Sequence, residues 1–186
     1  MKCVNSPMIK PKVISIAAVS GGGKTTITKK LTLTLKNSKA LFFDEYDFQD
    51  SPLDLIKWVK DGADYNLWNL EPMIHDVESI AAKDTVSYIL LDYPFSYKND
   101  RLKELIDFSI YIDTPLDVAM ARRLKRDYDS TNVGDLHHDL DFYLNYGRMA
   151  YLEMEKTIKP DSDLIVDGTL PPDQMIEIIQ REIENA

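Results

Sequence analysis

The sequence predicts a three-layer α/β/α sandwich on a five-stranded parallel sheet, and three observations carry that reading. Short apolar, β-rich runs alternate along the chain with stretches of helical periodicity. The first of those runs stops at three consecutive glycines. At 186 residues the chain has the size of one domain and can bury enough apolar surface to hold a core without staples.

The elements follow in order. Val13-Ile14-Ser15-Ile16-Ala17-Ala18-Val19 reads as a buried strand ending in a tight loop. From Lys24 to Lys36, Ile27, Leu31 and Leu35 stand four apart on a helical face. Leu31, Leu33 and Leu35 also alternate, and the threonines are β-branched, so it is the preceding glycine loop that decides for a helix. Ala40-Leu41-Phe42-Phe43 is the second strand. Ser51-Pro52 offers a cap and a first-turn proline to a helix that Asp61-Gly62 stops, and another helix runs from Pro72 to about Ala82. Val86–Leu91, Phe108–Ile112 and Leu164–Val166 complete the strands. The helix from Pro115 is expected to use Thr114 as its cap, with Asp117 at the third position of a capping box.

Composition excludes several function classes. Lys and Arg total 22 against 31 Asp and Glu, a net charge of −9, which repels nucleic acid backbones and anionic membrane surfaces. Neither is expected as a partner. The apolar run Val13–Val19 is far shorter than the roughly 20 residues that span a bilayer. The single cysteine, Cys3, rules out an internal disulfide and a zinc site built on several cysteines, and suits a reducing cytoplasm. Met1–Lys12 lacks the apolar run of a secretory signal and reads as a loose leader. Without repeats or linkers, residues 1–186 are expected to form one domain, with 1–12 as leader.

The chemistry starts in the loop after the first strand. Ser20-Gly21-Gly22-Gly23-Lys24-Thr25-Thr26 sits between a strand and a helix, where three glycines let backbone N–H groups fold inward around an anion at the positive end of the helix. Lys24 then neutralises the β and γ phosphates of a nucleoside triphosphate, and the Thr25 hydroxyl is a ligand for Mg²⁺. The full motif has glycine five residues before Gly23, and here that position is Ala18. Tyr88-Ile89-Leu90-Leu91-Asp92 is an apolar strand ending in a carboxylate, a second candidate Mg²⁺ ligand. Ala121-Arg122-Arg123-Leu124-Lys125-Arg126-Asp127 gathers four cations and one anion, and Arg123 and Arg126, one helical turn apart, can face the same phosphate oxygens.

From Val13 to about Gly168 the chain resembles the P-loop kinases of small molecules, most closely the uridine kinase and nicotinamide riboside kinase group of the P-loop NTPases. The resemblance implies an enzyme that moves the γ-phosphoryl of Mg-ATP to a hydroxyl of a small metabolite, with nucleoside-like compounds among the candidates. In that group an acid after the second strand takes the acceptor proton, and Phe42-Phe43-Asp44-Glu45-Tyr46-Asp47 stands there. Asp44 is the implied base, Asp47 its reserve, and Tyr46 a substrate neighbour; if Asp92 were the base instead, Asp44 would hold the metal. The resemblance makes 122–137 a lid segment whose Arg123 and Arg126 close over the transferred group, sets Ser20–Thr26 and Arg122 on the ATP, and makes the polar stretch Asp129–Asp135 the lid tip. Asp64-Tyr65-Asn66-Leu67-Trp68 occupies the place where uridine kinases follow an aromatic residue with an acid that holds the sugar hydroxyls, so Tyr65 and Asn66 join Asp44 and Asp92 as substrate contacts. The loop Asp167-Gly168-Thr169-Leu170-Pro171 matches one that packs beside adenine in adenylate-kinase-like enzymes. Two departures stand out. Glu71–Thr85 has room for a helix but not for the base-reading hairpin of uridine kinases, and Ser130-Thr131-Asn132 replaces their second pair of lid arginines. The alternative is a nucleotide-dependent switch with no acceptor; a GTP switch lacks its Asn-Lys-x-Asp motif here.

Overall fold

The structure, a computed structural model, describes residues 10–52, 54–83, 85–128 and 133–186. Cys3 and most of the expected leader, and positions 129–132 of the expected lid tip, lie outside the described residues. The order is β1 (Lys12–Ala17), α1 (Lys24–Thr34), β2 (Ser38–Phe42), α2 (Leu55–Lys60), α3 (Glu71–Ala81), β3 (Tyr88–Asp92), α4 (Asp100–Lys103), β4 (Phe108–Asp113), α5 (Leu116–Asp127), α6 (Val133–Phe142), α7 (Arg148–Thr157), β5 (Leu164–Asp167) and α8 (Pro172–Asn185). Every strand pairing is parallel, and the sheet order is β2-β3-β1-β4-β5. β1 is the middle strand: Ile14 lies opposite Leu90 on one side and Phe108 on the other.

Both faces of the sheet are covered, which the period-two geometry of a strand makes legible residue by residue. Val13, Ala17, Ile89, Leu91 and Tyr111 point to a core shared with Trp58, Tyr65, Met73 and Val77. Their neighbours Ile14, Ile16, Leu90, Ile110 and Ile112 point to the opposite core, closed by Ile27 and Leu31 of α1 and by Met175, Ile176, Ile179 and Ile183 of α8. The ambiguous leucines of α1 resolve as a helix requires. Leu31 is fully buried, whereas Leu33 is 86% exposed. The threonines are tolerated there because their hydroxyls bond back one turn, Thr28 to the Lys24 carbonyl at 3.0 Å and Thr32 to that of Thr28 at 2.8 Å.

Two expected caps are corrected. α2 is capped by Asp54, whose carboxylate accepts from the N–H groups of Ile56 and Lys57, while the Ser51 hydroxyl accepts from the Asn69 N–H at 3.1 Å. An ionised acceptor held directly before the first turn meets two of its orphan donors at once. α5 begins after Pro115 with no side-chain cap. The Thr114 hydroxyl is used elsewhere, donating to the Gly22 carbonyl at 2.8 Å. Between β2 and β3 the described residues hold helices and single turns, with no hairpin, as the span Glu71–Thr85 implied. Among the described residues no helix is long and apolar enough to cross a membrane.

Candidate active site

The glycine loop leaves the carboxyl end of β1 and turns back on itself through a bond from the Gly22 N–H to the Val19 carbonyl at 2.9 Å. Glycine is required at each position for a different reason. Gly21 and Gly23 have φ of +80° and +104°, the left-handed region. A Cβ on Gly21 would also lie 2.1 Å from the Ala119 carbonyl oxygen, and one on Gly22 would meet the Ala18 Cβ at 2.8 Å. Ala18 thus fits where the wider motif has glycine: its methyl is buried in the core beneath the loop and touches the position that has no side chain of its own.

A cavity of about 830 Å³ opens beyond the carboxyl ends of the strands. One end is walled by Ser20, Gly21, Gly23, Lys24, Thr25 and Thr26. There Leu170, Pro172 and Met175 supply an apolar flank from the start of α8. Gly168, which the resemblance set beside the adenine, is not among the residues that line the cavity. A Cβ on it would fall 1.9 Å from the Thr114 hydroxyl oxygen, and its carbonyl accepts from the Arg122 guanidinium at 3.0 Å. Gly168, Thr114 and Gly22 therefore stack in van der Waals and hydrogen-bond contact, joining the turn after β5 to the glycine loop.

Lys24 and Asp92 form a buried ion pair, their side chains 12% and 3% exposed. Asp92 thus ends β3 next to the loop lysine. Asp44 lies in a single helical turn, Phe43–Glu45, directly after β2, and its exposed carboxylate lines the cavity. The cavity also takes in Arg122 and Arg126. Arg126 is held charged chiefly by its hydrogen bond to Asp127, whose carboxyl is held below its ordinary value by the same contact, and Asp44 adds to the effect on Arg126. Asp44 and Arg126 thus act on each other electrostatically in one cavity.

Several residues singled out from the sequence sit elsewhere. Arg123 does not share a target with Arg126: its guanidinium meets both carboxylate oxygens of Asp139 on α6, at 2.6 and 2.8 Å, and Asp127 at 3.6 Å. A charge-assisted pair in which one guanidinium nitrogen reaches both carboxylate oxygens, largely shielded from solvent, outcompetes an open cavity for the guanidinium. The Tyr46 hydroxyl donates to Asp76 at 2.9 Å, and burial followed by that carboxylate pushes its pKa up. Tyr65 is buried in the core with its hydroxyl 3.0 Å from that of Thr157. The Asn66 amide is engaged at both ends by Asp100, donating to its carboxylate at 3.0 Å and accepting from its N–H at 2.8 Å.

The cavity also has an aromatic wall, which motif reading missed. Phe43, Trp58, Trp68 and Phe95 line it from one connected ring cluster, with Trp68 and Phe95 centroids 5.0 Å apart and Phe43 and Phe95 at 5.5 Å. Tyr151 and Met154 close it from α7. The signal lay in the density of aromatic residues between Phe43 and Trp68; that α7 packs against α2 and lines the cavity had no local sign.

A glycine loop at the carboxyl end of a central parallel strand, with Lys24 on the loop and an acid ending the adjacent strand, defines a P-loop nucleotide-binding domain. Residues 88–141 match the model of the Phosphoribulokinase / Uridine kinase family. Curated relatives include the uridine kinase of Borrelia hermsii, 28% identical and covering 83% of this chain and 85% of its own, and that of Staphylococcus epidermidis, 24% identical with 96% and 98% covered. Among solved structures, an unliganded sugar kinase from Janibacter superposes with a TM-score of 0.59 at 19% identity, covering 94% of this chain and 95% of its own. Deoxyadenosine kinase from M. mycoides with bound dATP gives 0.54 at 19%, covering 92% and 99%; at such identities the two speak for the fold. The chain is similar to the uridine kinase group of P-loop small-molecule kinases.

Proposed function

We propose that the protein transfers the γ-phosphoryl group of Mg-ATP to the hydroxyl of a small metabolite that enters the cavity along its aromatic wall, with Asp44 as general base. The observation that carries this is that one cavity is lined by the phosphate loop, the Asp44 carboxylate and a cluster of aromatic rings. A switch protein has no use for such an aromatic wall.

The loop amides and Lys24 bind the β and γ phosphates of ATP, and Leu170, Pro172 and Met175 flank its base. Thr25 and Asp92 offer two hard oxygen donors, a set that suits Mg²⁺ because phosphate oxygens and water supply the rest of its shell. Bound there, the ion would neutralise charge on the β and γ phosphates. Asp44 accepts the acceptor's proton as the acceptor oxygen bonds to the γ-phosphorus and the bond from that phosphorus to the bridging oxygen breaks, releasing ADP. Arg126 and Arg122 neutralise the charge on the transferred group; Arg123, turned to Asp139, positions α6 against α5. The carboxylate that an incoming hydroxyl can reach is Asp44 rather than Asp92, because Asp44 lines the cavity whereas Asp92 is buried and bound to Lys24. A cytoplasm supplies both ATP and the reducing conditions that a chain with one cysteine suits.

The test is ADP release from Mg-ATP across panels of nucleosides, sugars and vitamins, with wild type and Asp44→Asn. Acceptor-dependent release that Asp44→Asn abolishes, with ATP binding retained, supports the reading. Release that ignores every acceptor, or that survives the substitution, rejects it.

A further inference from the structure

The resemblance implied that sugar hydroxyls would be held by polar groups near positions 64–68, and the structure turns those groups away. Asn66 is engaged by Asp100, the Tyr65 hydroxyl by Thr157, and the Tyr46 hydroxyl by Asp76. Arg122 and Arg126 also line the cavity, but the first donates to the Gly168 carbonyl and the second to the Asp127 carboxylate; beyond them and Asp44, a ring wall of Phe43, Trp58, Trp68 and Phe95 lines it together with Tyr151 and Met154. Among the described residues lining this cavity there is no Asn, Gln, Glu or His, and Asp44 supplies the one carboxylate. A vicinal diol brought there would lose its water and regain few hydrogen bonds, a net cost to binding. A flat ring would gain apolar burial and edge or face contacts with four aromatic side chains.

Resting on the kinase reading above, we infer that the acceptor is recognised by the face of an aromatic ring and by one hydroxyl delivered to Asp44, and that no vicinal diol is read. The substrate class is therefore a ring-bearing primary alcohol, in which a 1,2-diol is dispensable: an aromatic heterocycle carrying a hydroxymethyl group, directly or through a deoxygenated sugar.

Discrimination by a missing hydroxyl gives a sharp test, because a site built to hydrogen-bond a hydroxyl rejects the analogue lacking it by about 10⁴-fold. The probes are uridine and adenosine, their 2′,3′-dideoxy forms, hydroxymethylpyridine, its saturated counterpart hydroxymethylpiperidine, and free ribose. The first readout is kcat/KM from ADP release. The second is quenching of intrinsic tryptophan emission, for both tryptophans of the chain, Trp58 and Trp68, line this cavity. The expected result is that each dideoxynucleoside, or the hydroxymethyl heteroaromatic, is phosphorylated within about tenfold of the best diol-bearing probe, well short of the loss a hydroxyl-reading site imposes. Saturating the ring should cost on the order of 10- to 100-fold, the size of lost stacking, and quenching should follow the same order.

Strict dependence on the 2′,3′-diol, or turnover of ribose without any aromatic probe, overturns the inference and leaves the kinase reading intact. Absence of both turnover and quenching with every aromatic probe, while calorimetry still detects Mg-ATP binding, also overturns it. Loss of Mg-ATP binding itself would instead overturn the kinase reading.

Discussion

Replacing Thr114 by valine tests how the glycine loop is supported. The hydroxyl donates at 2.8 Å to the Gly22 carbonyl, and Thr114 is 2% exposed. Valine keeps the shape and removes the donor, so the carbonyl loses this partner away from water. An unsatisfied buried group of this kind costs about 1–3 kcal/mol. At roughly 2–4 °C per kcal/mol for a chain of this length, a loss of about 2 kcal/mol lowers the melting temperature by about 4–8 °C. Serine keeps the donor and loses one methyl, about 0.8 kcal/mol by transfer alone, so Thr114→Ser should melt closer to wild type than Thr114→Val does. Calorimetric melting of the three proteins measures stability, and Mg-ATP titration should show weaker binding for valine than for serine. Equal melting temperatures for valine and wild type, or a serine variant no better than the valine one, would refute the argument that the hydroxyl holds the loop.

The remaining predictions concern catalysis and the core. Asp44→Asn should lower kcat by about 10²–10⁴-fold with ATP affinity unchanged by calorimetry, since it removes the proton acceptor and little else. Arg126→Ala should cost on the order of 10³ in kcat. Arg123→Met and Asp139→Asn should resemble each other in stability and give a non-additive double mutant by thermal melting, because the two side chains form one charge-assisted pair. Tyr93→Phe should be neutral or stabilising by about 1 kcal/mol in a denaturant titration, for the Tyr93 hydroxyl is buried with no hydrogen-bond partner among the described residues. Burial pushes the phenols of Tyr93 and Tyr111 up. With folded values above the unfolded value of about 10, their contribution is whole below about pH 10 and is lost as pH rises through the folded values. Stability should fall in that alkaline range, and less steeply for Tyr93→Phe; equal slopes for the two proteins would count against it.

Most of the fold was legible because its signals are local. A buried parallel strand writes its apolar run into adjacent residues, and the glycine loop writes its backbone demands as Gly21, Gly22 and Gly23. What sequence reading lost depends on competition between distant partners. Thr114 had the identity of a cap, but a loop carbonyl 92 positions away claimed its hydroxyl. Arg123 had the charge and spacing of a phosphate ligand, but Asp139, on the far side of an undescribed stretch, offered two oxygens at once. Asn66 and Tyr65 had the right chemistry for a sugar and found Asp100 and Thr157 instead. The aromatic wall is assembled from four separate segments, so no single stretch of sequence announces it.

The pairing of Lys24 with Asp92 has a consequence for how the loop meets its ligand. A free lysine surrenders on the order of 2 kcal/mol of rotamer freedom when it grips an anion. Here that freedom is surrendered during folding, so an arriving polyphosphate meets an ammonium already fixed in place and needs only to redirect it from one oxygen to another.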